Sequence, residues 1–347
     1  MLDVAVTEPP ERPTQRDIAR RAGVSTATVS YVLSGRRGGA KPPPEETRQR
    51  VLRAVAEMGY QVDHAGRSLR RRRSGLVALM YPAPSSPWSD RLAEQMQEAS
   101  AERGLGVVAL PMSGAAAGEA LLRVLRERYV DGAVLLPDCP VDPEELAVLA
   151  RQGLSLVVFD DDLAPEGFDV VRQDRARACR DAVEHLIAAG HRRIAYLGHP
   201  GEDSRRTAPS VKLSSYRQVL QENGICAATD LVLPVADSRS QAYAAVRDLL
   251  RRPDPPTAVV SATDRAAIDA VWAARDHGVP VPGGLAVSGI GNISEGLVIT
   301  PALTTVGARE FDFSAQVARL FERLDAGAPL DGEVMSARWE LIVRDSA

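Results

Sequence analysis

The chain of 347 residues carries 42 Lys and Arg against 46 Asp and Glu, a net charge of −4, and 45% of it is hydrophobic. That length suits a small domain joined to a larger one of two lobes. No apolar run approaches the roughly eighteen residues of a membrane span, and the N-terminus lacks the basic-then-apolar pattern of a secretion signal, so a cytoplasmic protein is expected.

The whole-chain charge conceals a split. Residues 11–73 hold fifteen Arg or Lys against six Asp or Glu, whereas residues 74–347 hold 27 against 38. Only local charge bears on nucleic-acid binding, and a basic segment on an acidic body points to nucleic acid as the partner of the first part. Cys139, Cys179 and Cys226 are widely spaced and match no metal-ligand pattern, which predicts reduced thiols, no metal site and no cofactor. Residues 1–13 contain three prolines and little periodicity, and read as a flexible tail.

Residues 14–35 read TQRDIARRAGVSTATVSYVLSG, which specifies two short helices joined by a glycine turn. Thr14 followed three residues later by Asp17 is close to a capping box. Ile18, Ala19 and Ala22 form the buried stripe of the first helix, and Gly23 supplies the left-handed backbone that a tight turn needs. Ser25 is placed to cap a second helix to about Leu33, with Val24, Val29 and Val32 or Leu33 closing the core. Thr26, Ala27, Thr28, Ser30 and Tyr31 are left on or near the outer face, where small polar residues reach base edges and phosphates in a major groove. Residues 36–44, rich in Arg, Gly and Pro, read either as a basic loop touching the DNA backbone or as a plain linker. A third helix opens at Glu45 and ends at Met58-Gly59-Tyr60, ahead of Arg67-Ser68-Leu69-Arg70.

This succession resembles the headpiece of the LacI/GalR family of bacterial transcription regulators, lactose-repressor-like proteins. The resemblance implies that the second helix reads the major groove, with base-reading positions at Thr26, Ala27 and Tyr31 and phosphate contacts at Ser25, Thr28 and Ser30, beside Thr14. It implies a hinge helix carrying Arg67, with Leu69 as the wedge that kinks the operator from the minor groove. Where the family shows Pro-Asn and Ala in that hinge, this chain has Val62-Asp63 and Gly66.

Beyond the Arg70-Arg71-Arg72-Arg73 run, short apolar strands alternate with amphipathic helices. Strands are predicted at residues 75–81, 106–110, 132–136, 155–159, 194–197, 258–261 and 285–290, and helices at 91–103, 178–189 and 265–277. The helix-to-strand pattern restarts at His185 to Gly198, which predicts two similar lobes of parallel sheet. The expected domains are therefore a tail (1–13), a helix-turn-helix domain with its hinge (14–73) and a two-lobed effector-binding and dimerisation domain (74–347). In fold terms this is an all-α helix-turn-helix headpiece, lambda-repressor-like, on an α/β periplasmic-binding-protein-like core of two doubly wound lobes. Ligands of such cores sit at the carboxyl ends of the strands.

The resemblance assigns the effector site residue by residue. Asp174 stands for the acidic residue that binds ligand hydroxyls, and Lys212 stands where an arginine normally reaches the ligand. Thr263-Asp264 replaces Asn-Asp, and Gly291-Asn292 replaces Asp-Asp, so a carboxylate is missing at Gly291 while Asn292 both donates and accepts. Trp88 either stacks on a flat ligand face from the cleft wall or covers an exposed loop. Asp160-Asp161-Asp162 reads as a solvated acidic turn rather than a metal site.

The function expected from all this is a homodimeric, effector-controlled DNA-binding regulator, a repressor acting on a near-palindromic operator and answering to a sugar or related metabolite. The alternative is a regulator with a degenerate cleft that answers to a protein partner. An enzyme is not expected: Gly289-Ile290-Gly291 lacks the third glycine of a dinucleotide fingerprint, and no histidine pairs with a nucleophile.

Overall fold

The computed structural model describes residues 13–34, 42–60, 73–83, 85–112, 117–137, 141–202 and 210–347. The chain divides into two compact units, Met1–Arg72 and Arg73–Ala347.

In the first unit, α1 (Gln15–Ala22) starts where Thr14 accepts the Asp17 N–H while the Asp17 carboxylate accepts the Thr14 N–H at 3.0 Å, a complete capping box. Gly23, at φ 62°, ends it in the left-handed region. The second helix, α2 (Thr26–Ser34), follows directly, and α3 (Glu45–Glu57) runs from Pro44 to Met58. Ile18, Ala19, Ala22, Val29, Val51 and Ala54 form the shared core, flanked by Val24, Val32, Leu33 and Tyr60. An Arg21 to Glu57 ion pair at 2.7 Å ties α1 to α3 on the surface. The short helices are held by this tertiary core, since helices of this length are marginal alone.

The second unit holds two lobes of one topology. Lobe 1 contains β1 (Leu76–Pro82), α4 (Pro87–Glu102), β2 (Gly106–Met112), α5 (Ala117–Arg126), β3 (Gly132–Leu135), α6 (Pro143–Arg151), β4 (Ser155–Phe159) and β5 (Asp169–Arg172). Lobe 2 contains α7 (Arg175–Ala188), β6 (Ile194–Gly198), α8 (Val211–Glu222), β7 (Val232–Pro234), α9 (Arg239–Leu250), β8 (Ala258–Ser261), α10 (Asp264–Asp276), β9 (Ala286–Ile290), α11 (Glu295–Val298) and β10 (Thr304–Gly307). The chain then returns to lobe 1 with α12 (Ser314–Asp325) and β11 (Val334–Ser336) and closes in lobe 2 with β12 (Glu340–Ile342).

The six-stranded sheets are ordered β11-β5-β4-β3-β1-β2 and β12-β10-β9-β8-β6-β7. All their pairings are parallel except β12 against β10. Strands buried on both faces, such as β3, β4, β6, β8 and β9, need apolar side chains throughout, and these are the ones the sequence announces. The structure adds the short strands β5, β7, β10, β11 and β12 and the further helices α5, α6, α8, α9, α11 and α12.

Close approach explains one glycine of the sheet: a Cβ at Gly132 would lie 2.9 Å from the Ser155 carbonyl and 3.2 Å from Leu320 of α12. Charge locks the edge of lobe 1. The fully buried Asp169 of β5 accepts from Arg319 at 2.9 Å, Arg323 at 3.1 Å and the Glu333 N–H at 2.8 Å, joining β5, α12 and β11.

Candidate functional site

The face of α2 opposite its core is the first site. Val29 is fully buried, while Ser25, Thr26 and Ala27 are exposed and Thr28, Ser30 and Tyr31 are half-buried. At 3.6 residues per turn, Thr26 and Ser30 align on this surface, as do Ala27 and Tyr31. Ser25 Oγ accepts the Thr28 N–H at 3.1 Å and lies 2.9 Å from Thr28 Oγ1, so the serine fixes the helix entry. The Thr14 hydroxyl donates to Asp17 at 2.6 Å at the start of α1, and Arg16 and Arg20 are exposed on the same helix. Arg67 and Leu69 lie outside the described residues.

The second site is the cleft between the carboxyl ends of the two sheets. Its lobe 1 wall is aromatic. Trp88 sits in the first turn of α4, half-buried, with its ring 5.7 Å from Phe159 at the end of β4 and 5.7 Å from Phe313 in the loop before α12. Ser86 caps this helix through Ser89. A hollow of about 80 Å³ lies beside α6, lined by Leu135, Val141, Pro143, Leu146, Val158 and Leu163, with no residue of α4 in its wall.

The lobe 2 wall is polar. Lys212, in the first turn of α8, donates to the Ala262 carbonyl at 3.0 Å, and the adjoining Thr263 caps α10 by accepting the Ala266 N–H at 3.2 Å. His199 Nδ1 pairs with Asp237 at the ends of β6 and β7, and this contact holds the aspartate below the usual carboxylate range. Asp174 is half-exposed at the crossover between lobes, in left-handed backbone, and faces Arg338 at 3.5 Å.

Asp264, Gly291 and Asn292 form an internal knot. Asp264 is buried and accepts the Thr305 hydroxyl at 2.5 Å and the Ile293 N–H at 2.9 Å. Burial pushes its carboxyl up to about 6 against those hydrogen bonds and the Arg344 charge. Gly291, at φ 137°, takes a backbone that side-chain-bearing residues rarely adopt. The Asn292 amide is engaged at both ends, donating to the Ala308 carbonyl at 2.7 Å and accepting from Arg344 at 2.6 Å. The structure thus brings Lys212 and Thr263 together at the cleft and gives Asp264 and Asn292 partners within the protein.

The acidic turn is a correction. Asp161 is not solvated: its carboxylate accepts the N–H groups of Gln173, Asp174 and Arg175. Burial raises its proton affinity, but these donors and the Arg175 guanidinium outweigh that and leave it below the usual range. Asp160 likewise accepts the N–H groups of Asp162 and Leu163 at 2.8 Å. Among the described residues no group of His, Cys, Asp or Glu could hold a metal ion, and no helix is long and apolar enough to cross a membrane. Burial pushes the Cys179 thiol up to about 11, which keeps it protonated.

Sequence reasoning missed His199, Asp237, Arg265 and Gln173. Arg265 donates to the Ser85 carbonyl across the cleft at 3.0 Å, and the buried Gln173 Oε1 has no hydrogen-bond partner. A polar residue directly after a strand was the available signal for His199 and Gln173.

Two family descriptions match the chain. "Bacterial regulatory proteins, lacI family" covers residues 14–63, and "Periplasmic binding proteins and sugar binding domain of LacI family" covers residues 74–315. The chain is 27% identical to the HTH-type transcriptional regulator DegA of Bacillus subtilis, over 95% of this chain and 96% of that one. It is 28% identical to the ribose operon repressor of Halalkalibacterium halodurans, over 96% of each. A solved structure of the transcriptional regulator CelR in complex with cellobiose matches with 29% identity and a TM-score of 0.63, covering 97% of this chain and all of that one. These relatives are regulators, not enzymes, and none supports a cleft that answers to a protein partner. The chain belongs to the LacI family of bacterial regulatory proteins.

Proposed function

We propose that the protein is a cytoplasmic, homodimeric transcriptional repressor that grips a near-palindromic operator through α2 and is controlled by a sugar or related metabolite bound between its lobes. One observation carries the reading: a capped three-helix headpiece presents small polar residues on the outer face of its second helix, on the same chain as a two-lobed cleft. Thr26, Ala27 and Tyr31 read bases, while Ser25, Thr28, Ser30 and Thr14 contact phosphate and set the register. Arg67 and Leu69 act in the hinge, with Leu69 as the wedge.

The cleft suits a polar ring with one apolar face: Trp88 offers the flat aromatic surface, and Lys212, Thr263 and Asp174 offer polar partners. Gly291, Asp264 and Asn292 shape the lobe 2 wall behind them. A second copy of the chain is supported by an apolar patch on lobe 2, where Val298 is 81% and Leu297 58% exposed. Nearby, Arg239 lies 5.0 Å over the Trp272 ring and feels the Glu295 charge.

The test is a selection of inverted-repeat duplexes by the purified chain, followed by calorimetry with cellobiose, ribose and a panel of nucleosides. The expected result is a preferred inverted repeat whose affinity changes when one of these binds, and weaker binding with less bending for Leu69→Ser. A chain that prefers no duplex over random competitor at moderate ionic strength ends the DNA reading.

A further inference from the structure

The first crossover between the lobes is gripped by Asp161, which stands just past β4 of lobe 1. Its Oδ1 accepts the N–H of Gln173 at 2.6 Å and of Asp174 at 3.0 Å, and its Oδ2 accepts the N–H of Arg175 at 3.1 Å and Arg175 Nε at 3.0 Å. These donors are the crossover itself and the first residue of α7, the helix that opens lobe 2. Asp174 makes no side-chain cap of its own, so the helix end is satisfied by a carboxylate reaching over from the other lobe. The grip is shielded, with the Asp161 side chain 13% and the Arg175 side chain 8% exposed. Hydrogen bonds from N–H groups and a guanidinium to a carboxylate are short and strong, so they hold the crossover in place.

The opposite lip of the cleft carries a contact of another kind. Arg265 of α10 donates to the Ser85 carbonyl of lobe 1 at 3.0 Å, an arginine side chain on one backbone oxygen. We propose that Asp161 is a positioning residue for the regulatory response: a pivot that anchors the crossover to lobe 1, about which the lobes turn to make or break the Arg265–Ser85 contact. The pivot gives the cleft a defined axis of closure, so a molecule filling it shifts a two-state equilibrium instead of loosening the protein generally. Its use rests on the proposed effector cleft, but its test needs neither effector nor operator.

The test is hydrogen exchange with mass spectrometry on the full chain, comparing the parent with Asp161→Asn and Asp161→Glu. The first replacement would set an amide NH₂ against the backbone donors. Exchange of residues 173–178 is expected to rise about tenfold, together with residues 85–92 and 262–268 on the far lip, which do not touch Asp161. Residues 132–135 and 194–198 in the sheet centres should keep their protection, and Asp161→Glu should recover part of the loss at all three segments. A rise confined to 173–178 would make Asp161 a local cap and overturn the proposal, as would a uniform rise across both lobes or no rise at all.

Should Asp161→Asn not fold, Arg265→Ala decides. It is expected to loosen 85–92 while 173–178 stay protected, and equal loosening of both would put the hinge at the lip and refute the pivot. Failure to prefer any inverted repeat would count against the proposed function and leave this result standing.

Discussion

Each lobe buries one carboxylate completely, and the two are compensated in opposite ways. Asp169 of lobe 1 lies against Arg319 and Arg323, with Arg323 itself 4% exposed on its side chain. Asp264 of lobe 2 receives a threonine hydroxyl and a backbone N–H, without a contacting cation among the described residues. The two sheets share a strand order, but the lips built on them diverge, one aromatic and one polar. A repeated scaffold constrains its strand interiors, where packing leaves little choice, and leaves the carboxyl-end loops free to differ.

The largest effect expected from this contrast is Asp169→Ala. It would leave a buried guanidinium without its anion, at a cost of about 3–5 kcal/mol, read as a lowered denaturation midpoint for the core. A loss below about 1 kcal/mol would show that the arginines are satisfied by carbonyls alone, since Arg323 also reaches the Leu330 oxygen at 2.9 Å.

Asp264 sharpens the contrast through pH. Its folded value, about 6, lies above the ordinary 3.8, so the folded protein holds that proton more tightly than the unfolded chain does. The stability from this group is therefore fully present below about pH 4 and is lost as pH rises through about 6, a difference on the order of 3 kcal/mol. Denaturant titrations at several pH values should show this decline in the parent and its absence in Asp264→Asn; the same slope in both would remove the assignment.

A smaller effect belongs to Arg239→Gln. The Arg239 side chain is 54% exposed while its partner Asp269 is 4% exposed, with contacts at 2.8 and 3.1 Å. Loss of this half-open pair should cost about 1–2 kcal/mol, well short of the lobe 1 lock, by thermal melting of the full chain. Smallest is Lys212→Gln, which should weaken effector binding about tenfold, roughly 1.4 kcal/mol, by calorimetry with whichever sugar binds the parent. An unchanged affinity would take Lys212 out of the cleft's recognition set.

The headpiece was legible almost residue by residue because its determinants are local. Thr14 with Asp17, the left-handed Gly23 and the Ser25 entry act over three or four positions, and the structure realises each of them. The strands with continuous apolar sequence were equally plain. The edge strands β7, β11 and β12 were not, because three residues carry too little pattern to be read. At the cleft, strand ends told where ligand groups belong but not which polar atoms remain available. Asn292 looked like a donor and acceptor for ligand, yet Ala308 and Arg344 occupy both ends of its amide.

By itself the sequence determined the class of fold, the basic DNA-reading unit, the alternating core and the two-lobed plan, since these follow from periodicity, caps and local charge. Only the tertiary structure decided the partners of the isolated charges. Asp161 met the N–H groups of the crossover, Asp169 met arginines some 150 residues away, and Asp264 met Thr305, 41 residues on. The reason is physical: a buried carboxylate must find donors wherever the folded chain brings them, and spacing along the chain does not encode that meeting.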